Sequence, residues 1–125
     1  MGVLQERIKR HLQLSHLQVA LSDADPGRDV QSIAICAGSG GSVLLGADAD
    51  VYWTGEMSHH EVLAAVAAGK NVVLCGHTNT ERPYLDTLAQ LLESNLKGLE
   101  GQDKAVAEQL RIHVSKEDRH PLDIV

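Results

Sequence analysis

The chain has 125 residues, a formal net charge of −6 at pH 7 and 43% hydrophobic residues, a composition typical of one globular domain. The acidic balance argues against broad electrostatic binding to nucleic acid, which needs clustered Lys and Arg side chains. Two cysteines are too few for a disulfide framework, no apolar run approaches the roughly 20 residues that span a bilayer, and the charged N-terminus lacks a signal-peptide pattern. We therefore expect a cytoplasmic or nuclear protein without direct nucleic-acid or membrane contact.

The predicted elements alternate between strands and helices along most of the chain. Strands are predicted over 17–21, 32–37, 49–54, 71–75 and 111–115. Helices are predicted over 5–12, 42–45, 61–68 and 80–96, with a turn at 23–27 and a surface loop at 98–104. This order predicts an α/β fold with a mostly parallel or mixed sheet covered by helices.

Three polar segments follow predicted strands, at 38–42, 55–61 and 76–82. Because parallel strands end at the same edge of a sheet, these segments are expected to meet there, where α/β folds bind ligands. The glycine-rich segment 38–42 is neither a Walker loop nor a complete dinucleotide fingerprint, so a tight turn is favoured over an anion site. Cys36 and Cys75 end apolar runs and are expected to be inert thiols, and Tyr52 and Trp53 are expected to face opposite sides of a strand.

His77 and Glu81 lie four residues apart after the fourth predicted strand. A neutral imidazole and a carboxylate can both bind Zn, Mn or Fe. The same residues also allow a structural interpretation, in which Thr78 caps a helix, Glu81 completes a capping box and His77 lies just outside. Two ligands are too few for a closed metal site, so the pattern alone leaves both interpretations open.

His59 and His60 are adjacent in the segment that follows the third predicted strand. Such histidines could transfer protons near neutral pH. On a helix they diverge by about 100°, so one metal rarely binds both. Ser58 and Glu61 flank them with the spacing of a capping box, which explains these two residues without any catalysis.

Taken together, the sequences at 36–42, 49–61 and 71–82 resemble the C-terminal part of the NIF-three-like family, also called the GTP cyclohydrolase I type 2 homologue family. The chain looks most similar to the eukaryotic members of that family, and the resemblance extends from Glu6 to the end. It implies that residues 1–125 correspond to a C-terminal domain, one half of a two-lobed α/β fold whose N-terminal lobe is absent.

The resemblance also implies a function and its residues. Family members look like two-lobed proteins with a two-metal site in a cleft, and they often form ring-like hexamers. The family's His-x-x-x-Glu pair matches His77 and Glu81, which are thereby implied as ligands of a divalent metal (Zn, Mn or Fe). The Ser-His-His block lies near the same cleft, so His59 and His60 are implied as catalytic residues for substrate contact or proton transfer.

The family's other ligands, a His-His pair and an Asp, have no matching segment before Glu6. We therefore expect a partial metal site and no hydrolase activity for the chain by itself, although a complete protein would be a metal-dependent hydrolase. The resemblance further implies a homo-oligomer. It also implies an alternative function, a protein-interaction module that acts in transcriptional regulation through a coregulator protein, independently of catalysis.

Overall fold

The computed structural model describes residues 1–24, 27, 29–117 and 120–121. The helices are α1 (Gly2–Leu12), α2 (Gly41–Leu44), α3 (His59–Ala67), α4 (His77–Glu81), α5 (Pro83–Lys97) and α6 (Gly101–Ala107). The strands are β1 (Gln18–Ala20), β2 (Ile33–Ser39), β3 (Val51–Glu56) and β4 (Asn71–Leu74). The backbone divides into two compact units, Met1–Glu81 with the whole sheet and Arg82–Val125 with α5 and α6.

The four strands form one mixed sheet in the order β1-β4-β3-β2. Strands β2, β3 and β4 are parallel, whereas β1 runs antiparallel to β4. In this register Trp53 lies opposite Ile35 on one side and Val73 on the other. The predicted α/β class with a mixed, mostly parallel sheet is therefore confirmed, and the carboxyl ends of three parallel strands share one edge.

Apolar side chains cover both faces of the sheet in the first unit. One face carries a core of Leu44, Ala49, Tyr52, Ala65 and Val72. The other carries Ile8 of α1 together with Val51, Val73 and Cys75. Tyr52 belongs to the first core and Trp53 packs against the second, which confirms that these neighbours point to opposite faces.

The structure corrects three predicted elements, which lie in the second unit or at its start. The strand predicted over 111–115 is wrong, because the described residues there form no strand and the sheet is complete without them. The loop predicted over 98–104 is wrong in its second half, where α6 begins at Gly101. The helix predicted over 80–96 is two helices, since Pro83 has no amide to continue α4 and instead occupies the first turn of α5.

The turn predicted over 23–27 lies partly outside the described residues, because Asp25 and Pro26 are not among them. Gly27 has φ of 100°, the left-handed conformation that glycine tolerates in turns. Each helix in the described part of the chain is too short or too polar to cross a membrane.

Candidate functional site

The carboxyl ends of β2 and β3 lie against α4, and a glycine permits this close approach. A Cβ atom on Gly55 would lie 2.6 Å from the Gly38 carbonyl oxygen and 2.8 Å from the Cα atom of His77. Both of these neighbours are backbone atoms, which cannot move aside cheaply. A glycine at the end of β3 is therefore required for His77 to sit over the sheet edge.

Two threonines fix the end of β2 beneath α4. The Gly38 amide donates to Thr80 Oγ1 at 2.8 Å, and that hydroxyl donates to the His77 carbonyl oxygen, also at 2.8 Å. Thr54, which is fully buried, donates its hydroxyl to the Gly38 carbonyl oxygen at 3.0 Å. Both backbone groups of Gly38 are thus hydrogen-bonded to side chains of neighbouring elements, which fixes the backbone at the end of β2.

His77 lies between two carboxylates at this edge. Its Nδ1 atom is 2.8 Å from Glu56 Oε1, and its Nε2 atom is 3.2 Å from Glu81 Oε1. All three side chains are partly exposed to solvent. We call these three residues the Glu56–His77–Glu81 cluster. The sequence predicted the pair His77 and Glu81, whereas it did not identify Glu56 as their neighbour.

The two carboxylates raise the pKa of His77 above its usual 6.5. The largest cause is the hydrogen bond to Glu56. Desolvation, the second largest, lowers the pKa, and the negative charges of Glu81 and Glu56 raise it. A carboxylate only accepts hydrogen bonds, so the proton in the short contact with Glu56 belongs to Nδ1. By the same rule Nε2 donates to Glu81 when the ring is protonated, whereas in the neutral ring the shorter contact with Glu56 favours the proton on Nδ1 and leaves the lone pair on Nε2.

Gly38 leaves space beside the two atoms that could bind a cation. A Cβ atom there would lie 2.7 Å from Glu81 Oε1 and 2.9 Å from His77 Nε2. Two ligands of one tetrahedral Zn²⁺, each at about 2.1 Å, are about 3.4 Å apart, close to the observed separation of these atoms. The two atoms are therefore at a suitable distance to be two ligands of one divalent cation. The same distance also suits a hydrogen bond from a protonated Nε2 to Glu81.

A third ligand is not supplied by the chain as described. Among residues 1–24, 27, 29–117 and 120–121, no group of three or more His, Cys, Asp or Glu side chains is arranged to hold a metal ion. Glu56 lies on the Nδ1 side of the imidazole and Glu81 on the Nε2 side, so the two carboxylates do not converge. Within the described residues, His77 Nε2 and Glu81 Oε1 are therefore the two atoms of the cluster that could bind one cation together.

Of the two interpretations left open for Thr78 and Glu81, the one with Thr78 as the cap of a helix is wrong. His77 is the first residue of α4 rather than a residue outside it, and the Glu81 carboxylate faces the imidazole. The backbone before this helix is instead held by Asn79, whose amide group donates to the Cys75 carbonyl oxygen at 2.8 Å. The Glu81 side chain thus contacts the imidazole of His77 and does not cap the helix.

His59 and His60 form the first turn of α3, which follows β3 at the same sheet edge, and both are exposed. Their ring centroids are 5.7 Å apart, edge to face. The predicted capping box is confirmed, because Glu61 accepts from the Ser58 amide at 2.7 Å and the Ser58 hydroxyl accepts from the Glu61 amide at 3.4 Å. In the described structure neither imidazole hydrogen-bonds to the Glu56–His77–Glu81 cluster, and their catalytic roles stay predictions.

The two cysteines do not contribute a ligand to the cluster. Cys75 is buried and accepts a hydrogen bond from Trp53 Nε1 at 3.2 Å, while Cys36 is half-buried. Burial raises the pKa of the Cys75 thiol, which keeps it protonated and unreactive.

Comparison with known proteins identifies the family. The family model described as Duf34/NIF3 (NGG1p interacting factor 3) matches residues 1–117. The chain belongs to the Duf34/NIF3 family. Its NIF3 relatives include NIF3-like protein 1 of Rattus norvegicus, 46% identical over 100% of this chain, and the Protein NIF3 homolog of Schizosaccharomyces pombe, 47% identical over 95% of it. The family inferred from the sequence is confirmed, whereas the assignment of residues 1–125 to a C-terminal domain stays a prediction.

Solved structures of NIF3 proteins share this fold. A Bacillus cereus protein related to NIF3 superposes with a TM-score of 0.69 at 27% identity over 99% of this chain. A Staphylococcus aureus hypothetical protein superposes with a TM-score of 0.72 at 20% identity, a likeness that concerns the fold alone. The chain spans 31% of the rat relative, 41% of the S. pombe relative and 32% of the B. cereus structure, so it matches about a third of a typical NIF3 protein.

Proposed function

We propose that this chain supplies His77 and Glu81 to a divalent-metal site in a hydrolase-type cleft, and that the remaining ligands come from outside it. The observation that supports the proposal is the 3.2 Å separation of His77 Nε2 and Glu81 Oε1 beside the space that Gly38 leaves open. The chain spans 31% of the rat relative and 41% of the S. pombe relative, which agrees with a site that needs residues from elsewhere.

The donor chemistry indicates the class of metal. One imidazole nitrogen and one carboxylate oxygen suit Zn, Mn or Fe. Among the described residues no cysteine joins the pair in a group of three or more possible ligands, which disfavours a structural zinc cluster. A bound metal of this class polarises a substrate bond and lowers the pKa of water. The exposed imidazoles of His59 and His60 are proposed to transfer protons in that cleft, since their helix follows the strand that ends at Glu56.

Calorimetric titration of Zn²⁺ and Mn²⁺ into the chain tests the ligand assignment. We expect weak binding, with a dissociation constant in the micromolar range or above, that disappears in His77→Ala and in Glu81→Ala. Glu93→Gln is the matched control, because Glu93 is as exposed as Glu81 (54% and 53%) and forms its ion pair with Lys97 of the same helix. Binding that is unchanged in His77→Ala contradicts the assignment, and submicromolar affinity lost in that variant contradicts the partial site.

A longer NIF3 protein containing this segment tests the hydrolase function. Two metal ions per subunit and turnover of a phosphorylated or nucleotide substrate that Glu81→Ala abolishes would support it. Full turnover in that variant would contradict it, because a ligand of the metal cannot be dispensable for chemistry that the metal performs.

A second candidate function is a protein-interaction module in transcriptional regulation. A Saccharomyces cerevisiae relative, 39% identical over 95% of this chain, is named NGG1-interacting factor 3, and the chain spans 39% of its length. We propose that this chain can contribute to binding a transcription coregulator without metal. Binding of such a partner that is unchanged in Glu81→Ala would support a metal-independent role, and its loss in that variant would contradict it.

Self-association is proposed on the basis of the apolar surface of β2. Ile33 and Ile35 are 39% and 61% exposed on the strand at one edge of the sheet. Such surfaces favour contacts between protein molecules. A monomer in light scattering at high concentration would contradict the proposal.

A further inference from the structure

We propose that Glu56 is a positioning residue that fixes the neutral His77 ring in its Nδ1–H tautomer and thereby directs the Nε2 lone pair toward the metal position. The inference rests on the proposed function for the role of Nε2, but the tautomer itself is a property of this chain that can be measured without metal. Glu56 touches no metal position itself and acts only through the imidazole.

Each ring nitrogen of His77 contacts one carboxylate. Glu56 Oε1 lies 2.8 Å from Nδ1, the shorter of the ring's two contacts with carboxylates. Each carboxylate stabilises a proton on the nitrogen that it faces, and the neutral ring carries only one proton. The shorter contact with Glu56 favours that proton on Nδ1, which leaves Nε2 as the acceptor. A free neutral imidazole side chain prefers the opposite Nε2–H tautomer, which could not bind a cation on the Glu81 side.

The architecture of the sheet edge holds Glu56 in this position. Glu56 is the last residue of β3, and its backbone carbonyl oxygen accepts from the Gly40 amide at 3.2 Å. The preceding residue, Gly55, lets the His77 backbone approach this strand, as described above. Two adjacent residues of β3 thus set the distance and the orientation of one imidazole. In metal proteins such carboxylate–histidine contacts fix the ring and change metal affinity about 10–100-fold when they are removed.

Nitrogen NMR of the His77 ring in the metal-free chain tests the proposal directly. At a pH where the ring is neutral, we expect the wild-type ring to carry its proton on Nδ1 and the Glu56→Ala ring to shift toward the Nε2–H tautomer. Glu56→Asp should restore part of the Nδ1–H population if the shorter carboxylate still reaches the ring. Glu93→Gln is the control for loss of one exposed carboxylate, because Glu93 is 54% and Glu56 55% exposed.

Two results would overturn the proposal: an Nε2–H tautomer in the wild-type chain, or an unchanged Nδ1–H population in Glu56→Ala. Zn²⁺ affinity is the second readout, expected to fall about 10–100-fold in Glu56→Ala and to stay unchanged in the control. If the wild-type chain binds no Zn²⁺ at all, the proposed function fails, and the tautomer still decides the role of Glu56. Bound Zn²⁺ with equal affinity in wild type and Glu56→Ala counts against the positioning role.

Discussion

Replacement of Gly38 by alanine should separate the requirements of the fold from those of the candidate site. Gly38 has φ of +67°, and its added Cβ atom would lie 2.7 Å from Glu81 Oε1 and 2.9 Å from His77 Nε2. The left-handed conformation costs a residue with a Cβ atom about 1–2 kcal/mol. Both crowded atoms are the ends of side chains that can swing outward, so we expect little further loss of stability.

Gly46→Ala is the matched control for this variant. Gly46 has φ of +90°, and a Cβ atom there would meet nothing within 4 Å. Both variants should therefore lower the free energy of unfolding by a similar amount, about 1–2 kcal/mol, which a domain stable by about 5–15 kcal/mol tolerates. Denaturant unfolding monitored by fluorescence of Trp53, the only tryptophan, gives both values.

The two variants should differ at His77. In Gly38→Ala the methyl group pushes the imidazole and the Glu81 carboxylate apart, so the pKa of His77 should lose the part of its rise that Glu81 causes, and Zn²⁺ binding should be lost. In Gly46→Ala both properties should match those of the wild type. An NMR titration of His77 that gives the same pKa in Gly38→Ala and in wild type would refute the close packing from which we argue.

Three further expectations concern the surroundings of the cluster. Gly55→Ala should destabilise the fold by about 2–3 kcal/mol in denaturant unfolding, more than Gly46→Ala, because its Cβ atom would meet backbone atoms; equal losses would contradict this. Ser58→Ala should lower the free energy of unfolding by about 1 kcal/mol because the helix cap is lost, whereas Thr78→Ala should lower it by less than about 0.5 kcal/mol. The reverse order would support Thr78 as a helix cap and contradict the structure. The pKa of His77 is raised, so its ion pairs should stabilise the fold below pH 6.5 and cease to do so as the pH rises through the folded-state pKa. The difference in unfolding midpoint between wild type and His77→Gln should therefore shrink with rising pH, and a constant difference would contradict this.

The sequence predicted the sheet because its apolar runs are short, β-branched and bounded by glycines, as at 71–75 before Gly76. The same reasoning failed at 111–115, where the described residues form no strand although polar and apolar side chains alternate. It also failed at α6, since Gly101 and the polar residues after it are as typical of loops as of a first helical turn. Local patterns identify a strand more reliably when glycine or a turn defines both of its ends.

The candidate site was predicted only in part, for a reason that lies in tertiary structure. His77 and Glu81 share one helical turn, so their proximity follows from a spacing of four residues. Glu56 is 21 residues from His77 in sequence and reaches it only because β3 and β4 are adjacent and parallel. The available signal was its position directly after a predicted strand at the shared edge. Whether Glu81 caps a helix or contacts His77 depends on the residue at which α4 begins, and the spacing of the residues alone does not define that residue.

The most direct test of the central claim is a Zn²⁺ titration monitored at the ring nitrogens of His77 by NMR. We predict that the Nε2 resonance moves with added Zn²⁺ while Nδ1 keeps its proton, and that Glu81→Ala abolishes the shift. Saturation of the chain with Zn²⁺ without any change at Nε2, or with an unaltered shift in Glu81→Ala, would contradict the claim that these two side chains bind one cation.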